Sequence, residues 1–139
     1  MPSYRSNSSR PRVAITIGDP FGVGPEIVLK TAASRKLSGL ADFIIVGDSS
    51  VLSAASRLPA TPALPRNASI IDPHIVAPGE VRFGCQSKLS GEASLAYLDL
   101  ALGLIKEKKA DCLVNAPLSK EAVSSAFPRI NFIGHTEYI

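Results

Sequence analysis

Glycine and proline are concentrated in residues 18–26, which read Gly-Asp-Pro-Phe-Gly-Val-Gly-Pro-Glu. An apolar run precedes this segment, and a predicted helix follows it. Glycine and proline are costly inside regular helices and strands but suit a backbone that turns sharply. A glycine-rich turn between a strand and a helix N-terminus also offers N–H groups to an anion. Two interpretations stay open: a tight turn without a ligand, or a backbone site for a phosphate or cofactor.

The spacing of these glycines excludes the two common nucleotide-binding loops. Gly18, Gly22 and Gly24 follow the pattern G-x-x-x-G-x-G, whereas the dinucleotide fingerprint is G-x-G-x-x-G. The Lys-Ser/Thr pair of a P-loop does not follow them either.

A second polar segment, residues 115–120, reads Asn-Ala-Pro-Leu-Ser-Lys and follows a predicted strand. In open α/β sheets, ligands bind outside the carboxyl ends of the strands. Lys120 is therefore a candidate for holding a phosphate or carboxylate as a point charge. The alternative is a solvated lysine on the surface of a helix.

A third segment, residues 134–137, reads Gly-His-Thr-Glu. His135 and Thr136 together can bind an anionic or polyhydroxylated substrate, or His135 can be an ordinary structural histidine. The other histidine, His74, follows a proline in a predicted loop, and Cys85 and Cys112 lie far apart. These spacings do not predict a metal site built wholly from this chain, and Cys112, inside an apolar run, is expected to be buried.

The composition of the 139-residue chain is that of a globular protein, with 45% hydrophobic and 19% charged residues. No apolar run approaches the length of a membrane span or resembles a secretory signal, so we expect a cytoplasmic location and no membrane contact. The net charge of +3 comes from Arg5, Arg10 and Arg12. Without them, twelve basic residues face twelve acidic ones, which argues against nucleic-acid binding. Residues 1–12 are therefore predicted to be a disordered basic tail.

The rest of the chain predicts strands that alternate with helices, which indicates an α/β fold with a mainly parallel sheet and helices on both faces. The predicted strands cover residues 14–17, 43–46, 69–72 and 111–115, and the predicted helices cover 25–37, 49–57, 90–108 and 119–126.

The helix predicted over residues 90–108, capped by Ser90, is apolar on two sides. One side carries Ala93, Ala96, Leu100 and Leu104, and the other carries Leu95, Leu98, Leu102 and Ile105. A helix of this kind is covered on two sides. We expect one side to pack on the sheet and the other to meet a second lobe or a second subunit.

Taken together, the three segments resemble the 4-hydroxythreonine-4-phosphate dehydrogenase family. Residues 18–26 resemble its N-terminal signature, residues 115–121 its threonine/asparagine-Ala-Pro-Leu-x-Lys-Glu segment, and residues 134–138 its Gly-His-Thr-Glu-aromatic motif. The segments occur in family order, and the resemblance covers residues 13–139.

The resemblance implies one lobe of an isocitrate/isopropylmalate dehydrogenase-like two-lobe fold, in a homodimer. It implies NAD-dependent oxidation of the C3 hydroxyl of 4-phosphohydroxy-threonine, followed by decarboxylation, in pyridoxal 5'-phosphate biosynthesis. A divalent metal (zinc, or magnesium or cobalt) would polarise the hydroxyl.

By the same resemblance, His135, Thr136 and Lys120 would bind the small phosphorylated substrate. Gly18, Asp19, Gly22 and Gly24 would border the cofactor, with the Asp19 carboxylate orienting the turn.

The family's metal-binding histidines follow the Gly-His-Thr-Glu motif, so their counterparts are expected outside this chain. The resemblance divides the chain into an α/β lobe over residues 13–133 and the start of a second lobe over 134–139. Three alternatives stay open: a related dehydrogenase for another phosphorylated hydroxy acid or a dihydrodiol, a truncated binding fragment without activity, and a general nucleotide-binding α/β domain.

Overall fold

Within residues 10–139, four parallel strands form one sheet, and five α-helices accompany it. The computed structural model describes residues 10–139, so most of the predicted basic tail lies outside the described residues. The strands are β1 (Arg12–Thr16), β2 (Asp42–Val46), β3 (Ser69–Ile71) and β4 (Cys112–Asn115). The helices are α1 (Gly24–Ala32), α2 (Ser49–Ala55), α3 (Lys88–Lys106), α4 (Lys120–Ala126) and α5 (His135–Tyr138).

The strand order is β3-β2-β1-β4, and all three pairings are parallel. The chain moves outward from β1 through β2 to β3 and then returns to the other side of β1. With right-handed crossovers, this reversal puts α1 and α2 on one face of the sheet and α3 on the other. The predicted α/β class, with a parallel sheet and helices on both faces, is confirmed.

The core lies between the sheet and these helices. Ala14, Ile45 and Val46 have no exposed surface, and Leu29 and Val51 are fully buried beside them. The last residues of β1 and β2 are buried on both faces, which explains why the apolar runs of these two strands are continuous rather than alternating. No helix within residues 10–139 has the length and apolar character needed to span a bilayer.

Three details of the sequence prediction were wrong. Helix α1 ends at Ala32, and residues 33–40 form successive turns, where two serines and a glycine favour turns over helix. Helix α3 is capped by Ser87 and not by Ser90; the hydroxyl of each accepts a hydrogen bond from the other's backbone N–H. Cys112 is exposed, because β4 is an edge strand within the described residues.

The second apolar side of α3 is also covered differently from the prediction. Its sheet-facing side carries Ala93, Tyr97, Ala101 and Leu104, all buried in the main core. On the other side, Leu95 and Leu98 form a smaller cluster with Val123 of α4 and with Phe132. Within the described residues, Leu95 and Leu98 are therefore covered by α4 and the segment after it.

The buried Asp48 side chain links α3 to the segments that follow β2 and β3. Asp48, which directly follows β2, accepts hydrogen bonds from the hydroxyl of Tyr97 and from the N–H of Ile75 (2.7 Å). Burial raises the pKa of Asp48, and these hydrogen bonds only partly offset it. Burial also opposes ionisation of the neighbouring Asp72, but hydrogen bonds from Ser49 and His74 outweigh it and lower the pKa of Asp72.

Replacing Leu98 tests the cover of α3. We expect Leu98→Ala to lower the free energy of unfolding by about 2–5 kcal/mol, since it opens a cavity between α3 and α4. Leu100→Ala, on the same helix but 38% exposed, should cost less than about 1 kcal/mol. Urea denaturation of both variants measures the difference. Equal losses would contradict the packing of α4 on this side.

The Asp48–Asp72 pair predicts pH trends of opposite sign. Because the folded pKa of Asp48 is raised, its contribution to stability falls as pH rises from about 4 to about 7. Because the folded pKa of Asp72 is lowered, its contribution is nearly complete above the unfolded pKa of about 4 and is lost as pH falls below that value. We therefore expect Asp48→Asn to be less destabilising near pH 7 than near pH 4, and Asp72→Asn to be less destabilising near pH 3 than near pH 5. Urea denaturation from about pH 3 to about pH 7 checks both, and a loss of the Asp72 contribution as pH rises would refute the assignment.

Candidate functional site at the point where the sheet reverses

The glycine-rich turn after β1 packs directly on the backbone that follows β4. The N–H of Asp19 donates a hydrogen bond to the carbonyl of Pro117 (2.9 Å). Gly18 has a φ of +67°, and a Cβ on it would lie 2.2 Å from the same carbonyl oxygen. A Cβ on Gly24 would lie 2.0 Å from the carbonyl oxygen of Ile17. Both positions therefore require glycine because of the chain's own backbone, without reference to a ligand.

The N–H groups of this turn are largely used within the chain. Asp19 is 5% exposed, and its Oδ1 accepts a hydrogen bond from the N–H of Phe21 (2.9 Å). The N–H of Gly22 donates to the carbonyl of Asp19 (3.1 Å). Burial raises the pKa of Asp19, and the bond from Phe21 partly offsets this shift. The Asp19 carboxyl thus accepts from one of the N–H groups that a bound anion could otherwise use. The role of Gly18, Asp19, Gly22 and Gly24 in cofactor binding stays a prediction.

Lys120 stands at the start of α4, close to the third segment. The hydroxyl of Ser119 caps this helix by accepting a hydrogen bond from the N–H of Ala122 (3.1 Å). From there Lys120 reaches Gly134: its Nζ lies 3.7 Å from the position that a Cβ on Gly134 would occupy. The ammonium group is thus next to the backbone that leads into His135 and Thr136.

The imidazole of His135 is half-buried in the single-turn helix α5. Burial lowers the pKa of His135, so the ring is neutral at neutral pH. A neutral imidazole offers one N–H donor and one acceptor nitrogen. Thr136 follows it and is exposed, with its hydroxyl in reach of solvent. Substrate binding by His135, Thr136 and Lys120 stays a prediction.

The three segments therefore form one row along the carboxyl edge of the sheet. Asp19 bonds to Pro117, and the Lys120 side chain lies close to Gly134, so the middle segment is next to the other two. The row starts between β1 and β4, where the strand order reverses. Open α/β sheets bind ligands at such a reversal, which agrees with the sequence prediction for this edge.

Two polar side chains that received no role from the sequence also lie here. The hydroxyl of Thr16, at the end of β1, donates to Oδ1 of Asn115, at the end of β4 (3.0 Å). Their shared position at strand ends was the available signal, but the pairing of β1 with β4 had to be known first.

The metal expected from the resemblance has no ligand set in this part of the chain. Within residues 10–139, no group of three or more histidine, cysteine, aspartate or glutamate side chains is arranged to hold a metal ion. No chemical step through a metal is therefore assigned to these residues.

Replacing Gly18 tests the contact between the turn and Pro117. We expect Gly18→Ala to destabilise the fold by about 2 kcal/mol or more, since alanine is strained at positive φ and its Cβ would overlap the carbonyl. Gly103→Ala is the matched control, because Gly103 lies inside α3 with nothing within 4 Å of the new Cβ. That change should stabilise the fold by about 0.5–1 kcal/mol. Thermal or urea unfolding compares them, and two changes of the same sign would contradict the close approach.

Comparison with known proteins agrees with this geometry. The family described as pyridoxal phosphate biosynthetic protein PdxA matches residues 38–139. The chain is 33% identical to a 4-hydroxythreonine-4-phosphate dehydrogenase from Geobacter metallireducens, over 95% of this chain and 42% of the relative. It is 31% identical to a D-threonate 4-phosphate dehydrogenase from Cupriavidus necator, over 93% of this chain and 42% of the relative.

The fold is similar to that of a crystallised 4-hydroxythreonine-4-phosphate dehydrogenase from Burkholderia phymatum. The TM-score is 0.79 at 26% identity, over 92% of this chain and 42% of that one. The chain thus spans less than half the length of the relatives that it matches. The family match over most of the chain shows that it belongs to the pyridoxal phosphate biosynthetic protein PdxA family.

Proposed function

We propose that this chain forms part of an NAD- and divalent-metal-dependent dehydrogenase of pyridoxal 5'-phosphate biosynthesis. The substrate is 4-phosphohydroxy-threonine, whose C3 hydroxyl is oxidised before the product loses carbon dioxide. The observation that carries this proposal is the position of the Lys120 ammonium group close to Gly134, the residue before His135, in the segment that follows β4 at the reversal of the sheet. Its context is family membership and a curated relative with that activity in its name.

Each of the three proposed substrate-binding residues has a separate task. Lys120 binds the phosphate group through a charge-assisted hydrogen bond. His135, neutral at neutral pH because of its burial, forms hydrogen bonds to the substrate as donor and acceptor. Thr136 adds a hydroxyl that can also donate and accept. Together they orient a phosphorylated hydroxy acid at the carboxyl edge of the sheet.

The turn at residues 18–24 forms the wall of the cleft and borders the cofactor. NAD, when bound, accepts the hydride that leaves the substrate carbon. The turn contributes shape, since Gly18 and Gly24 keep the backbone close to residues 116–117. The Asp19 carboxyl fixes the turn through the hydrogen bond that it accepts from the N–H of Phe21. We further propose that the whole protein acts as a cytoplasmic homodimer.

A second substrate is favoured by one observation: the Cupriavidus necator relative is named for D-threonate 4-phosphate. This molecule also carries a phosphate and a neighbouring hydroxyl, so Lys120 and His135 suit both. The assay below separates the two substrates.

A chimaera tests the proposed function directly. Residues 1–139 replace the matching segment of the Geobacter metallireducens relative, and NADH formation is measured with each of the two phosphorylated substrates. We expect turnover of 4-phosphohydroxy-threonine and rescue of a bacterium that cannot make vitamin B6. Turnover of D-threonate 4-phosphate alone would establish the second substrate. A folded chimaera that turns over neither would favour the binding-fragment hypothesis.

Variants of the chimaera test the role of Lys120. Lys120→Met should raise the KM for the phosphorylated substrate about tenfold or more, the effect of losing one charge-assisted hydrogen bond. Lys36→Met removes another exposed lysine, in the turns after α1, and should leave KM unchanged. An unchanged KM for Lys120→Met would remove Lys120 from the site.

A further inference from the structure

Helix α5 carries His135 and Thr136 but has little structure of its own to hold it. It is one turn long, with backbone hydrogen bonds from Tyr138 to Gly134 (3.3 Å) and from Ile139 to His135 (2.9 Å). A single helical turn is not stable in isolation, because nucleation costs more than one hydrogen bond returns. The position of these two side chains must therefore be fixed by contacts to the rest of the fold.

Tyr138, the last residue of α5, provides such a contact with its ring. The ring packs against Phe132, with centroids 5.8 Å apart and planes tilted by 54°. Through this contact it joins the smaller apolar cluster, which contains Leu95 and Leu98 of α3. The Tyr138 ring thus packs one end of α5 against α3.

The hydroxyl of Tyr138 makes a second, directional contact. It donates a hydrogen bond to Oδ1 of Asp99 on α3 (2.8 Å). Burial raises the pKa of Tyr138 to about 12, and the Asp99 carboxylate adds to the shift, so the hydroxyl keeps its proton and remains a donor at neutral pH. Ring packing alone leaves α5 free to rotate about the ring, whereas a hydrogen bond at the far end of the side chain fixes that rotation.

We propose that Asp99 and Tyr138 are positioning residues that hold α5, and with it His135 and Thr136, in place on α3. Both residues act through α5. The inference deepens the proposed function and rests on it for the role of His135. The geometric part, that the pair fixes the His135 ring, is independent of any activity.

The chain offers a direct probe, since His74 and His135 are its only histidines. NMR of the 139-residue chain would follow the ring C–H signals of both histidines from about pH 5 to about pH 8. A His74→Asn variant would assign the signals to the two residues. The His74 side chain is 85% exposed on the loop after β3, so it reports on sample conditions and not on α5.

Three variants separate the hydrogen bond from the packing. Tyr138→Phe keeps the ring and removes the hydroxyl, and Asp99→Ala removes the acceptor. Asp99→Asn keeps an acceptor oxygen and is the conservative rescue. In the first two, we expect the His135 signals to shift and broaden and its pKa to rise towards that of an exposed histidine, because a loosened α5 exposes the ring to water. Asp99→Asn should retain the wild-type signals, and His74 should not move in any variant.

The result that overturns the proposal is superposition of the His135 signals and titration in wild type, Tyr138→Phe and Asp99→Ala. Loss of stability with unchanged His135 signals also overturns it, since that is the result of a purely structural role. In the active chimaera, Tyr138→Phe should raise KM for the phosphorylated substrate several-fold more than it lowers kcat. If the chimaera has no activity, the proposed function fails while the NMR result still decides the positioning.

Discussion

One backbone contact, between the N–H of Asp19 and the carbonyl of Pro117, is the constraint on which the candidate site depends. The two residues are almost a hundred positions apart in sequence and become neighbours only because β4 pairs with β1. For the contact to form, Gly18 must adopt a positive φ with no Cβ between the two turns. The same contact fixes the segment that leads into Lys120. The site therefore forms only when β4 has paired with β1, although its first motif, residues 18–26, is a single continuous segment of the sequence.

The Asp19 carboxyl reduces the number of N–H groups that the glycine-rich turn can offer to an anion. A turn of this kind attracts anions when its N–H groups are free, but here Asp19 accepts the N–H of Phe21 and its own carbonyl accepts that of Gly22. A phosphate approaching the turn would meet the buried Asp19 carboxyl. The pKa of this carboxyl is raised because its charged form is costly to bury. In the proposed function, the positive charge for an anion is that of Lys120, on the next segment, and the turn has a mainly steric role.

Much of this arrangement could be predicted from local sequence. The strands were recognisable from short, continuous apolar runs, and the alternation with helices gave the parallel sheet. The three motifs marked the segments that meet at its carboxyl edge. Prediction failed where two local patterns compete and where a long-range contact decides the structure. Ser90 is a good cap by its type, yet Ser87, three residues earlier, is the N-cap of α3 and Ser90 is its partner in the capping box. The second apolar side of α3 gave no sign that α4 would cover it, because Val123 and Phe132 follow α3 in sequence and pack back onto it. The sequence wrongly predicts a buried Cys112, because an apolar run does not distinguish a central strand from an edge strand.

Helix α3 has none of the chemical motifs, yet it carries the polar contacts that hold the motif-bearing segments. On its sheet side, Tyr97 bonds to Asp48, so the end of β2 is tied to the helix inside the core. On its other side, Asp99 accepts the hydroxyl of Tyr138 at the surface. A nineteen-residue helix packed on the sheet is stiff, whereas α4 and α5 have seven and four residues. Since short helices take their position from what they pack on, any displacement of α3 would move Lys120 and His135 together. The separation between the two proposed substrate-binding groups is thus set by one helix that has no chemical role itself.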